Sequence, residues 1–131
     1  MPKPTFGEIV TAADERITAL QKAEHALNDE IAAVRAVEWQ RLLNADELEK
    51  VVQLRRAKGT VLSAIEELSL VTVPKLDDTD EVKRLLNAME GIRTMLKAES
   101  DSIKNAAAVA TSIANAIQGI ASFAAKLAAI V

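Results

Sequence analysis

Across residues 82–131 the apolar side chains recur in steps of three and four without a slip. The series is Val82, Leu85, Met89, Ile92, Leu96, Ile103, Ala106, Ala110, Ile113, Ile117, Ile120, Ala124, Leu127 and Val131, with Glu99 its one polar member. Such steps place one side chain per turn on a single helix face. About seven heptads in one phase demand a helix, and they demand something apolar to cover the stripe. This feature constrains the fold more than any other in the chain.

The remainder agrees with it. Half of the 131 residues are hydrophobic, yet the only aromatic residues are Phe6, Trp39 and Phe123. Four glycines and three prolines are few. Strong helix formers with scarce turn residues predict an all-α chain with long elements, in a single domain spanning 1–131.

The N-terminal half carries its own heptad: Phe6, Val10, Ala13, Ile17, Leu20, Leu27, Ile31 and Val34, with Glu24 on the seam. Thr5 followed by Glu8 reads as a capping box. A first helix over about 5–43 follows, about 57 Å long at 1.5 Å per residue. Asn44 and Glu47 repeat the capping-box spacing, and Leu43 and Leu48 are placed for a hydrophobic staple. A tight break and a second helix over 45–69 are expected, with the seam Val51, Leu54, Val61, Ile65 and Leu68 interrupted by Lys58. In a hairpin turning at Asn44, Lys58 falls opposite Ile31 and Glu24 opposite Ile65. Residues 70–77 form the linker: Pro74 cannot continue a helix, and Val73 before it favours extended backbone. Asp78 caps the next helix.

Glu99-Ser100-Asp101-Ser102 poses the one fork, because Ser and Asp favour caps over helix interiors. An unbroken helix over 78–131 would be about 80 Å long. No hairpin of this chain could cover it, and its seam would need another chain. A break at 99–102, near Ser100, would fold everything into a four-helix bundle. The unbroken phase favours a long antiparallel hairpin plus a long heptad-patterned C-terminal helix, continuous or kinked.

Little in the sequence points to catalysis. The chain has no cysteine and no tyrosine, which removes thiolate metal sites, disulfides and both nucleophiles. His25 is the sole histidine. Lys22 stands three residues before it, so the Glu-x-x-His pattern of di-iron bundles fails. Asp29, one turn on, gives at most an i, i+4 pair. The glycines are isolated and build no phosphate loop. Neighbours such as Asp14-Glu15 and Glu66-Glu67 point about 100° apart on a helix and share no site. The densest basic run, 55–58, is flanked by Glu47, Glu49, Glu66 and Glu67, and reads as a solvated face. The net charge of −3 leaves no basic footprint for nucleic acid. No enzymatic activity, cofactor, metal or small-molecule substrate is expected. Trp39, near the hairpin turn, is expected to pack on the end of the bundle.

Residues 105–125 contain no charged side chain. Their length suits a membrane span, but alanine prevails, and Thr111, Asn115, Gln118 and Ser122 form a polar stripe off the isoleucine seam. The helix is amphipathic with an uncharged polar face. The expectation is a structural or assembly protein, acting with a second copy or another helical protein. Ala106, Ala110, Ile113, Ile117, Ile120, Ala124 and Leu127 would form the subunit interface. The alternative is a membrane-active protein whose segment 105–125 inserts into or lies on a bilayer. The first residues lack an apolar signal-peptide region. A cytoplasmic location is therefore expected, with signal-less export or membrane association left open.

Overall fold

A computed structural model describes residues 3–103 and 106–131. The chain is all-α. Helix α1 spans Phe6–Arg35 and ends in a 3-10 turn at Ala36–Trp39. Helix α2 spans Ala45–Ser69, a single turn α3 spans Val73–Leu76, α4 spans Thr79–Ser102 and α5 spans Ala107–Ala128. Helix α1 packs on α2 and α5, and α4 packs on the same two. The four long helices thus close a ring, with consecutive members antiparallel because their connections are short.

The caps are built locally. Thr5 Oγ1 accepts from the Glu8 amide at 3.1 Å. Asn44 Oδ1 accepts from the Glu47 amide at 2.9 Å, and Glu47 Oε1 accepts from the Asn44 amide at 3.0 Å, a complete capping box. Asp78 receives the amides of Asp80 and Glu81. The linker 70–77 is tighter than expected: Pro74 sits in the first turn of α3, where its missing N–H costs nothing. Arg84 bonds both Glu67 and Glu81, tying α4 to α2 beside this linker.

The first helix stops at Arg35 rather than at residue 43. Between Leu27 and Val51 no residue is fully buried, and beyond Ile31 no residue of the tip packs against the core, so little supports further helix there and the end tightens into 3-10 geometry. The hairpin register shifts with it. Lys50 Nζ meets Glu30 Oε1 at 2.6 Å, which places Lys58 level with about residue 22 and not with Ile31. Glu24 and Lys58 are both half-buried.

The long C-terminal helix does not form. Helix α4 runs through the Ser100–Ser102 cluster and ends at Ser102, the C-terminal edge of the expected 99–102 break. Ile103 then turns extended, and α5 begins at Ala107. Ile103 and Ala106 are each only 7% exposed, so the end of α4 and the approach to α5 are anchored in the core. Folding back buries Val109, Ile113, Ile120, Phe123 and Leu127 almost completely. At about 1.5–3 kcal/mol per large side chain, that outweighs a few backbone hydrogen bonds worth about 1 kcal/mol each.

Candidate interaction surfaces

The seven residues expected at a subunit interface are turned inward. Ala106, Ile113, Ile120, Ala124 and Leu127 are buried in the chain's own core, and Ala110 and Ile117 are half-buried at its edge. The row that meets α1 and α4 most deeply is Val109, Ile113, Ala116, Ile120, Phe123 and Leu127, displaced slightly around the helix from the expected seam. Gly119 is buried as well, because the stem of Arg16 crosses it: a Cβ added there would lie 3.1 Å from Arg16 Cδ.

The opposite face of α5 is open. Thr111, Ala114, Asn115, Gln118, Ser122 and Ala125 are exposed and carry no charge. Beside them, Ala114, Ile117, Gln118 and Ala121 form one wall of a shallow groove whose other wall is Arg93, Thr94 and Lys97 of α4. Arg93 is paired with Glu90 at 3.0 Å. Helix α5 is long and apolar enough to cross a membrane, and only 39% of its apolar window is buried. Asn105, which opens the uncharged stretch, lies outside the described residues.

A second open surface lies at the far end of the α1–α2 hairpin. Trp39 is 93% exposed and Leu42 is 92% exposed. Trp39 therefore does not pack on the bundle end, because α1 and α2 rise past the last buried layer at Leu27 and Val51. Leu48 and Val52 are exposed on the same end of α2. The connection that carries Leu42 is nonetheless held firmly. Arg41 grips Glu47 through two hydrogen bonds of 2.7 and 3.1 Å and donates to the Leu42 carbonyl at 3.1 Å. This pairing raises the Arg41 pKa and lowers that of Glu47.

The polar seam residue Glu99 finds a partner across the α2–α4 contact. Thr60 Oγ1 donates to Glu99 Oε1 at 2.8 Å, while Glu99 Oε2 is shut away from solvent without a partner. Desolvation pushes the Glu99 carboxyl above its ordinary pKa, against smaller opposing effects of the Thr60 hydrogen bond and the nearby Arg56 charge. Gln53, Arg56, Met95 and Ser102 surround it at the surface. Glu99 was legible as a polar seam position; Thr60 was not, since a threonine in α2 gives no sign of which helix it will meet.

His25 and Asp29 are both exposed on α1. Among the described residues no group of three or more His, Asp or Glu side chains is placed to hold a metal ion. The fold defines the chain as a helical bundle. Comparison with known proteins returns no matching family, no matching curated protein and no matching solved structure.

Proposed function

We propose that this chain is a non-enzymatic assembly module that binds through the outer face of α5, against a helix of a second subunit or of another helical protein. One observation carries the reading: the exposed face from Thr111 to Ala125 holds no charge, although it is turned to water. A permanently solvated helix face carries Lys and Glu, as the outer face of α4 does with Lys83 and Glu90. Alanine, serine and threonine on such a face also let another helix backbone approach closely. The inner face of α5 supplies the fold, and the outer face supplies the contact.

Light scattering on the purified chain tests this. The expected result is a mass above the 14.1 kDa protomer, reduced to the protomer by the double substitution Ala114→Glu and Gln118→Glu. Both positions are exposed, so the helical content should hold. A chain that stays monomeric at high concentration and binds no helical partner defeats the reading.

A second reading rests on the same helix. Among the described residues, α5 (Ala107–Ala128) is the helix long and apolar enough for a bilayer, and 39% of its apolar window is buried. On this reading α5 leaves the bundle and lies on or enters lipid. Liposome flotation across a range of pH and lipid charge decides it, and no association under any condition rejects it.

A further inference from the structure

Helix α5 is joined to the bundle differently from the other long helices. Glu30 and Lys50 tie α1 to α2, and the pairs Thr60–Glu99 and Glu67–Arg84 tie α2 to α4. Among the described residues, no side chain of α5 makes a hydrogen bond or an ion pair to another helix. The side chains of Thr5, Asn44 and Asp78 cap the starts of α1, α2 and α4, but α5 follows Ala106 with no side-chain cap. Apolar contact alone holds α5. Such contact is non-directional, and it does not distinguish one copy of the bundle from another.

The passage from α4 to α5 is also unlike a built turn. A helix that must stop and reverse commonly ends on Gly, with Pro soon after, yet residues 92–118 contain neither. The reversal begins at Ile103 (φ −89°, ψ 103°) and ends at Ala106 (φ −130°, ψ 73°). Both φ angles are negative, so each residue can return to helical dihedrals without strain. The buried rows of the two helices also share one phase, through Leu96, Ile103, Ala106, Val109 and Ile113, with Glu99 in the one gap. A hairpin needs an apolar stripe on each arm but no common phase across its turn, whereas a straight helix needs that continuity. The register agrees. Thr94 and Ile117 line one groove, as do Lys97 and Ala114, so the pairing of α4 with α5 is centred between residues 105 and 106. Two straight helices laid antiparallel about a two-fold axis at that level repeat the same pairing.

We propose that α5 is an exchangeable helix whose partner is a second copy of this chain. In the dimer α4 runs straight on into α5, one helix about 75 Å long at 1.5 Å per residue. Its α5 half docks on α1 and α4 of the second copy, which returns its own α5. Each bundle keeps the contacts of the single chain. The exchange uses the inner face of α5 and does not rest on the outer-face contact. A tethered helix acts at an effective concentration of about millimolar, so the single chain prevails in dilute solution. Helix α5 must leave the core to change hosts, so the two forms interconvert slowly.

Refolding the full chain from urea at about 1 mM should give a species of twice the 14.1 kDa protomer mass. That species should persist on dilution to about 1 μM, whereas refolding at about 1 μM should give the protomer. Ala107→Pro separates the two forms. Ala107 is exposed and opens α5 in the single chain. Pro is tolerated at that first helical position, and Ala106 before it is already non-helical, as a residue preceding Pro prefers. In the straight helix the same proline is interior and removes a hydrogen bond. The variant should keep the circular dichroism of the protomer and weaken dimerisation more than about a hundredfold. A tagged and an untagged chain refolded together should form mixed dimers, but not when mixed after folding. The substitutions Ala114→Glu and Gln118→Glu should leave this dimer intact. A chain that yields only protomer at about 1 mM overturns the proposal, as does a dimer that survives Ala107→Pro in a folded variant. If Ala107→Pro fails to fold, the mixing test decides alone: subunits that trade freely on mixing overturn the proposal. Loss of the dimer on the Ala114 and Gln118 substitutions overturns it in favour of the outer-face contact.

Discussion

At the scale of the residue, Glu99 is where the core departs from hydrocarbon. Its Oε1 receives the Thr60 hydroxyl and its Oε2 is buried without a partner. Leaving a buried acceptor unsatisfied costs on the order of 1 kcal/mol or more. The substitution Glu99→Met removes that cost cleanly, because the Thr60 hydroxyl keeps a second acceptor, the Arg56 carbonyl at 3.2 Å. The variant should be more stable at neutral pH. The pH dependence follows from the raised pKa of Glu99 in the folded state. The folded chain binds this proton more tightly than the unfolded chain, so the penalty is full above the raised folded pKa and vanishes below the ordinary carboxylate value. The gain of Glu99→Met should therefore shrink as pH falls through that window, read as converging urea midpoints. A constant gain at every pH would show that packing alone causes it. Sequence spacing marked Glu99 as an exception on a seam, but burial decides whether an exception costs energy, and spacing does not show burial.

At the scale of the element, α2 and α4 each carry an interior glycine that the fold does not require. A Cβ at Gly59 or Gly91 would touch nothing within 4 Å. Alanine restricts the unfolded chain and improves helix propensity, so Gly59→Ala and Gly91→Ala should each add about 0.5–1 kcal/mol. That raises the thermal midpoint by a few degrees, measurable by calorimetry. A fall at either site would mean that its helix face is covered by something in the assembled protein. The elements themselves were legible to different degrees. The start of α2 was, because Asn44 and Glu47 cap it by local chemistry alone. The end of α1 was not, because Val37, Leu42 and Leu43 continue an apolar pattern past the point where anything covers it. The α4–α5 break falls at the edge of the expected 99–102 window, although the apolar phase had favoured an unbroken helix. Ser100, Asp101 and Ser102 favour termination, but α4 keeps them in its last turn, and Ile103 makes the turn instead because its side chain reaches the core.

At the scale of the whole molecule, the apolar phase of residues 82–131 told that a face is buried but not by what. A strict heptad reads the same whether the covering helix belongs to the same chain or to another. The phase was also blurred in α5, where alanine on most sides let a seam through Ala110 and Ile117 pass for the deepest row, which runs through Val109, Ala116 and Phe123. The uneven burial of the bundle has a measurable outcome. Hydrogen exchange should find the most protected amides around Leu54, Val61, Met89 and Leu96, and the least protected within 28–50. Slow exchange throughout 28–50 in dilute protein would mean that a contact already covers the tip.

The ring of helices is closed by α1 against α5, the two long helices farthest apart in the chain. A nascent chain leaving the ribosome can pair α1 with α2 early, but the α1 face that carries Arg16, whose stem crosses Gly119, stays open until α5 has emerged. Closing a loop of that length costs entropy before any contact repays it. During synthesis α1 passes through a stage in which it waits, half-uncovered, for α5.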